Sequence, residues 1–123
     1  MKVSLVLVQL FILRFSINMI QPSLTYIEEL ADGNEAFKAK LIEIVKQELP
    51  EEIELYYKHV EAQLYSEAAK DVHKLKHKIS ILGLEKEYHL AVAYEEALRE
   101  DHCDGKIQFE DILSAMSLFV KSI

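Results

Sequence analysis

The sequence predicts an all-α protein, an antiparallel up-and-down four-helix bundle with additional short helices at its amino and carboxyl ends. Only three glycines and two prolines occur in 123 residues, too few for a fold of many strands and turns. Ala, Leu, Glu and Lys are abundant, and these residues favour helices. Apolar residues recur at spacings of three and four, which is typical of amphipathic helices. The length fits one domain with a core of its own.

Charge and composition limit the classes of partner. The apolar fraction of 50% and the charged fraction of 28% are typical of globular proteins. The net charge of −7 argues against a nucleic-acid partner, because phosphate binding needs a basic surface. The lone cysteine, Cys103, cannot form an internal disulfide, which favours a reducing compartment, and we expect the cytoplasm.

Residues 1–18 are an apolar leader, distinct from the helical domain predicted over residues 19–123. The apolar run from Val3 to Leu13 is shorter than the roughly 20 residues of a membrane helix. No small-x-small cleavage pattern of a signal peptide follows it. Three interpretations stay open: an uncleaved anchor, an extra element packed on the domain, or an over-long reading frame that naturally starts at Met19. The last two are favoured, and a membrane partner is expected only if the leader is a retained anchor.

Proline and glycine divide the first half of the domain into three predicted helices. Pro22 precedes the short helix SLTYIEELA, which Asp32-Gly33 ends. Asn34 is a good N-cap for the next helix, EAFKAKLIEIVKQEL. Pro50 is expected to break that helix and to lie in the first turn of the following one, EEIELYYKHVEAQLY. The predicted inward faces of the two longer helices are Phe37, Leu41, Ile44 and Val45, then Ile53, Tyr56 or Tyr57, Val60 and Leu64.

Three more helices complete the predicted domain. Ser66 is expected to cap a long helix that runs to about Leu82 and ends at Gly83. A further helix extends from about Glu85 to Arg99, and the loop DHCDG separates it from the last one. The predicted core positions are Ala68, Val72, Leu75, Ile79 and Leu82, then Leu90, Ala93, Tyr94 and Ala97, and finally Ile107, Phe109, Ile112, Leu113, Met116, Phe119 and Val120.

Residues 71–83, DVHKLKHKISILG, contain the pattern that points most clearly to chemistry. On a helical wheel a polar stripe lies next to the core stripe but outside it. Its members are His73, Lys76, His77 and Ser80. Lys74 and Lys78 are expected to point further round into solvent. The histidines are therefore predicted to be accessible.

Three interpretations of this polar stripe compete. The first is an ordinary solvated helix face. The second is a metal site, because His at i and i+4 can both reach one ion; flanking lysines repel a cation, however, and no metal is predicted. The third is phosphoryl transfer. A neutral imidazole is a nucleophile near pH 7, and a lysine one turn away can neutralise the oxygens of the transferred group.

The stretch V-H-K-L-K-x-x-x-S-x-L-G resembles the signature of histidine-containing phosphotransfer (HPt) domains, which runs roughly A-H-x-L-K-G-S-x-x-x-L-G. The upstream stretch L-A-D-G-N-E-A-F, continuing to Pro50, and the downstream helix to Tyr94-Glu95 are also similar to that family, so the resemblance spans about residues 22–120. It implies that His73 is the phosphoacceptor and that Lys76 stabilises the phosphoryl group. It also implies supporting or partner-facing positions at His77, Ser80 and Gly83.

The resemblance implies a phosphocarrier rather than an enzyme in its own right. Such a histidine takes phosphate from an aspartate of one receiver domain and passes it to another. The implied partners are receiver domains of response regulators and of a hybrid sensor histidine kinase, which supply Mg²⁺, so the protein needs no cofactor of its own. We expect it to be a monomer. His77 replaces the glycine that is usual in the family, and Lys78 and Ile79 replace two serines, with Ser80 one turn on as a candidate substitute.

Two other functions stay open. Residues 100–111, EDHCDGKIQFED, resemble part of a calcium loop aligned on Gly105, but His102 fills a ligand position and a second loop is missing. A plain helix connection is the preferred explanation of this stretch. The alternative to the phosphocarrier is a non-catalytic helical adaptor without phosphotransfer, in which His73 could be replaced without consequence.

Overall fold

The computed structural model describes residues 5–9 and 19–123, so most of the predicted leader lies outside the described residues. Residues 5–9 are helical and exposed. The remaining helices are α1 (Thr25–Ala31), α2 (Glu35–Glu61), α3 (Tyr65–Ile81), α4 (Glu85–Arg99) and α5 (Lys106–Ser122). The described ranges contain no strand, which confirms the all-α class. None of their helices combines the length and the apolar character needed to cross a bilayer.

Helix α2 is continuous through Pro50, so the prediction that this residue separates two helices is wrong. Proline in a helix interior removes one hydrogen bond and costs roughly 3 kcal/mol. In α2 this local cost is outweighed by packing on both sides of the proline. Val45 and Leu49 are buried before it, and Tyr56 and Val60 are buried after it. Pro50 itself is exposed, on the side away from the core.

Helix α5 has 17 residues and belongs to the core, whereas the prediction described an additional short carboxyl-terminal helix. It contacts both α4 and α2. Its length follows from an apolar stripe that repeats over more than three turns. The buried members of that stripe are Phe109, Ile112, Leu113, Ala115, Met116 and Val120. The short helix predicted near the amino end is present as α1.

The four longer helices contact one another in sequence around one core. Helix α2 contacts α3, α3 contacts α4, α4 contacts α5, and α5 contacts α2, while α1 lies against α2. Ion pairs show that α2 and α3 run in opposite directions. His59 pairs with Asp71, and further along the same two helices Lys78 pairs with Glu48 and Glu52. The amino-terminal half of α2 therefore extends past the end of α3.

Several positions predicted to face inward are exposed. Phe37 and Ile44 lie on that extended half of α2, where α1 is the helix in contact. On α4 the buried stripe is rotated relative to the prediction, because Glu95 occupies an inward position beside Ala91 and Leu98. The predicted core residues that are exposed are Phe37, Ile44, Leu64, Leu90, Ala93 and Ile107.

The caps and one lysine also differ from expectation. Asn34 caps α2 as predicted, since its side chain accepts a hydrogen bond from the backbone N–H of Phe37. Ser66 does not cap α3, which already begins at Tyr65 after a tight turn in which Gln63 has a positive φ of 58°. Lys78, predicted to point into solvent, is buried because two carboxylates of α2 attract its ammonium group inward.

A buried chain of hydroxyl groups ties three helices together. The Tyr56 hydroxyl on α2 donates to the Glu110 carboxylate on α5 at 2.9 Å, and the Tyr94 hydroxyl on α4 lies 2.7 Å from Tyr56 and donates to it. Burial raises the pKa of Tyr94 to about 12 and raises the pKa of Tyr56 as well, so both phenols stay neutral. Each buried hydroxyl thus has a partner, as a stable core requires.

Gly83 and Gly33 offer a matched test of the turn between α3 and α4. Both have a left-handed backbone, with φ of 76° and 83°, which costs a residue with a side chain about 1–2 kcal/mol. A Cβ at Gly83 would lie 3.0 Å from Oγ of Ser23, whereas nothing lies within 4 Å of one at Gly33. We therefore expect Gly83→Ala to lower the free energy of unfolding more than Gly33→Ala. Urea unfolding followed by circular dichroism measures both; an equal or smaller loss for Gly83→Ala would contradict the described turn.

Candidate functional site

Helix α3 separates a buried stripe from an accessible polar one. Leu75 and Ile79 are fully buried against the other helices. The His73 side chain is 55% exposed, while that of Lys76 is 13% exposed. His77 is also exposed. The side of α3 next to α4 therefore presents an accessible imidazole beside a largely covered lysine.

Glu95 of α4 holds these residues together. Its carboxylate oxygens each lie 3.3 Å from Nδ1 of His73. The Lys76 ammonium lies 2.9 Å from Oε1 of the same group, and the Arg99 guanidinium donates to Oε2 at 2.9 Å. The Glu95 side chain is only 11% exposed. One nearly buried carboxylate thus contacts three basic side chains from two helices.

Glu95 was not predicted as a site residue. It lies four residues after Ala91 and three before Leu98, both of which are buried. An acidic residue on an apolar stripe is costly unless it is paired, and this is the signal that could have found it. The predicted inward face comprised Leu90, Ala93, Tyr94 and Ala97, of which Tyr94 and Ala97 are buried, and Glu95 fell outside it.

The Glu95 carboxyl is ionised at neutral pH. Burial on its own raises its pKa, because the charged form loses contact with water. Hydrogen bonds from Lys76 and Arg99, the positive charge of Lys76 and the charge of His73 in its protonated form act in the opposite direction and are stronger together. The resulting pKa lies below the ordinary value for a glutamate.

An ionised Glu95 sets the tautomer of His73. A carboxylate can only accept hydrogen bonds, so Nδ1 of His73 must carry the proton that it shares with Glu95. In the neutral imidazole the other nitrogen, Nε2, then keeps its lone pair. Nε2 makes no hydrogen bond to any residue in the described ranges. His73 therefore presents an oriented and accessible nitrogen that is chemically able to act as a nucleophile.

The surroundings of His73 favour an anion. Lys76 and Arg99 are both positive and face the single negative charge of Glu95, which leaves a net positive group beside the imidazole. The Lys76 ammonium also lies 5.7 Å from the ring centre of Tyr88, which limits its freedom. An anionic group bound to Nε2 would therefore lie close to a cluster of net positive charge, which favours it electrostatically.

The other predicted site residues divide into two groups. The ring of His77 meets that of His73 edge to face, with centroids 5.7 Å apart. Ser80 lines a cleft of about 280 Å³ with Glu85 and Tyr88. Gly83 lines an adjoining cleft that shares Ser80 and Glu85 with the first. His73, Lys76 and His77 are thus brought together, whereas Ser80 and Gly83 lie along neighbouring clefts.

The stretch that resembles part of a calcium loop does not form a cation cage. His102 lies 3.4 Å from Glu100 and 3.6 Å from Asp104 in the connection between α4 and α5. Across residues 5–9 and 19–123, no group of three or more His, Cys, Asp or Glu side chains converges as metal ligands would. The connection therefore has the features of a helix-linking turn.

Comparison with known proteins does not identify a family: no protein-family model, curated protein or solved structure gives a significant match to this chain.

Glu95→Gln tests the ion-pair cluster through its pH dependence. Because folding lowers the pKa of Glu95, the ionised carboxylate stabilises the fold above the unfolded pKa of about 4.3, and this contribution is lost as the pH falls through the folded value. We expect Glu95→Gln to lower the free energy of unfolding by about 1–3 kcal/mol at pH 7. The difference from wild type should narrow in acid.

The matched control for this measurement is the exposed neighbour Glu96. Urea unfolding of wild type, Glu95→Gln and Glu96→Gln at neutral and acidic pH gives the comparison. Glu96→Gln should have little effect at either pH. A loss in Glu95→Gln that stays constant down to strongly acidic pH would contradict an ionised, stabilising Glu95.

Proposed function

We propose that the protein is a phosphorelay intermediate that carries a phosphoryl group on His73 between receiver-domain aspartates of a two-component signalling system. The observation that carries this proposal is the contact of the His73 Nδ1 with the buried, ionised Glu95. It leaves Nε2 of an exposed imidazole with a free lone pair beside Lys76. The proposal agrees with the resemblance of residues 22–120 to HPt domains.

Phosphoryl transfer to His73 exchanges a P–O bond of the donor for a P–N bond. The Nε2 lone pair of His73 attacks the phosphorus of an aspartyl phosphate on the donor receiver, forming a P–N bond. The P–O bond to the aspartate breaks, and its electron pair stays with the leaving carboxylate. The ring keeps its proton on Nδ1 and becomes positively charged, which the adjacent Glu95 carboxylate stabilises. Attack by a second aspartate reverses these changes and regenerates neutral His73.

Each basic residue of the cluster has a role in this step. Lys76 neutralises part of the phosphoryl charge, and Arg99 keeps Glu95 in position from the other side. The receiver domains supply Mg²⁺ and most of the catalysis. In this proposal the protein has no cofactor of its own and is not an enzyme without its partners.

We also propose that α2–α5 form an antiparallel up-and-down four-helix bundle, with α1 as a short addition. The contacts from α2 to α3, α4, α5 and back to α2 support this arrangement. The opposed order of the ion pairs between α2 and α3 supports an antiparallel direction for that pair. Such a bundle would hold α3 and α4 rigidly enough to keep His73 on Glu95.

Partner docking is supported by exposed apolar side chains at the amino end of the described domain. Tyr26 and Leu30 on α1, and Phe37 and Ile44 on α2, are all 39–48% exposed. A carrier must bind two receivers in turn and release both, so a surface of modest apolar area suits the role.

We propose that the protein acts as a cytoplasmic monomer with receiver domains of response regulators and of a hybrid kinase. An adaptor bundle without phosphotransfer is the competing function for the same surface.

His73 and His77, one turn apart on α3, give a direct test of the phosphocarrier function. Incubation with a receiver domain that carries labelled aspartyl phosphate should produce an acid-labile phosphoprotein. His73→Ala should lose the label completely, because it removes the nucleophile. His77→Ala should keep the label, because Glu95 is hydrogen-bonded to His73 and not to the imidazole of His77.

Circular dichroism should show that both variants are folded, since both side chains are exposed. Label that survives in His73→Ala would reject His73 as the acceptor. No label in folded wild-type protein with any of several receivers would favour the adaptor function.

A further inference from the structure

His73 and His77 form an accessible pair of imidazoles that the phosphocarrier function uses only in part. They are four residues apart on α3, and their rings meet edge to face with centroids 5.7 Å apart. We propose that this pair binds a divalent transition-metal ion, Zn²⁺ or Cu²⁺, and that the ion occupies the same Nε2 lone pair of His73 that a phosphoryl group needs.

The spacing of the two rings suits one shared ion. A tetrahedral ion held by two imidazole nitrogens at about 2.1 Å places the ring centroids roughly 5 Å apart. The centroids of His73 and His77 are 5.7 Å apart and their planes are nearly perpendicular, so the rings are close enough to share an ion once the His77 ring turns a nitrogen towards Nε2 of His73. His77 is exposed and makes no hydrogen bond or ion pair to a described residue, so its ring can rotate at little cost.

Glu95 prepares His73 as a metal ligand by the same contact that prepares it as a nucleophile. Histidines that bind metals generally donate their second N–H to a carboxylate or carbonyl, which fixes the tautomer and raises the basicity of the ligating nitrogen. The bond from Nδ1 of His73 to Glu95 supplies this arrangement. Nε2 is then the nitrogen that binds the ion.

The lysines that flank the pair repel a cation less than the sequence suggested. Lys78 is turned away from this face towards Glu48 and Glu52 of α2, with its ammonium 2.7 Å from Glu52. Lys76 is paired with Glu95 at 2.9 Å. Glu95 also pairs with Arg99, so this cluster keeps one net positive charge, and the exposed Lys74 adds another. This positive charge weakens metal binding and keeps it reversible.

The number and type of ligands define the class of ion. In the described part of the chain no third His, Cys, Asp or Glu converges on the pair, so water must complete the coordination. Two imidazoles and water suit Zn²⁺ or Cu²⁺, which favour nitrogen ligands. They do not suit Mg²⁺ or Ca²⁺, which need several oxygen ligands.

Metal binding and phosphorylation of His73 then exclude each other. This consequence depends on the proposed function, whereas the metal site does not. A transition-metal ion would hold the carrier in an unphosphorylated state that cannot accept a phosphoryl group. In this arrangement His77, at the position where HPt domains usually have glycine, makes the carrier sensitive to such ions.

Chemical modification of histidine tests the site without any phosphotransfer. Diethyl pyrocarbonate acylates free imidazole nitrogens, and mass spectrometry of peptides locates each modified residue. Zn²⁺ should protect His73 and His77 together, while the exposed His89 stays reactive. Mg²⁺ should protect neither. In His77→Ala, Zn²⁺ should no longer protect His73.

His102→Ala is the matched control, because His102 lies beside Glu100 and Asp104 in the most obvious competing cluster. This variant should keep the Zn²⁺ protection of His73. Reactivity of His73 that is unchanged by Zn²⁺ in the wild type, or protection that persists in His77→Ala, would overturn the proposal. Neither result bears on whether His73 accepts phosphate, so failure of this site and failure of the phosphocarrier function are distinguishable.

Discussion

The site depends on one nearly buried carboxylate, that of Glu95. An unpaired charge in that position would be strongly destabilising, so the structure must supply cations or donors around it. Lys76 and Arg99 supply the positive charge, and His73 supplies a further donor. The requirement to neutralise one buried charge thus determines which way the imidazole points and which of its nitrogens faces outward.

Buried charges are also paired elsewhere in the core, and these pairs hold α3 firmly against α2. The Lys78 ammonium lies between two carboxylates of α2. Burial alone would lower the pKa of Lys78, but hydrogen bonds and charges from Glu52 and Glu48 raise it above the ordinary value. The amine therefore stays charged. His59 pairs with the buried Asp71 further along the same interface. Together these polar contacts fix the register of α3 on α2 and, through α3, the position of His73. A loosely held α3 could not keep His73 within reach of Glu95.

Much of this arrangement could be predicted from the sequence, because local periodicity dominates in α3. Val72, Leu75, Ile79 and Leu82 are buried as predicted, and His73 and His77 are exposed beside them. The failures have a common physical cause, which is that packing between helices overrides local preference. Pro50 lies inside α2 because both flanking halves are buried, and Lys78 turns inward because of charges that are distant in sequence. Glu95 could be found only as a polar interruption of an apolar stripe, because two of its three partners, His73 and Lys76, lie on α3, about 20 residues away in the chain.

The central claim is that Glu95 holds the proton of His73 on Nδ1 and leaves Nε2 as the free nitrogen. Long-range ¹⁵N–¹H correlation spectra of the imidazole rings, recorded above the pH at which histidines are protonated, identify the tautomer of each histidine directly. We expect His73 to be in the Nδ1–H form, with an unprotonated Nε2, whereas His77 and other solvated histidines should show the Nε2–H form that free imidazoles prefer. An Nε2–H signal for His73 would contradict the account, because the lone pair required for phosphoryl transfer would then face Glu95.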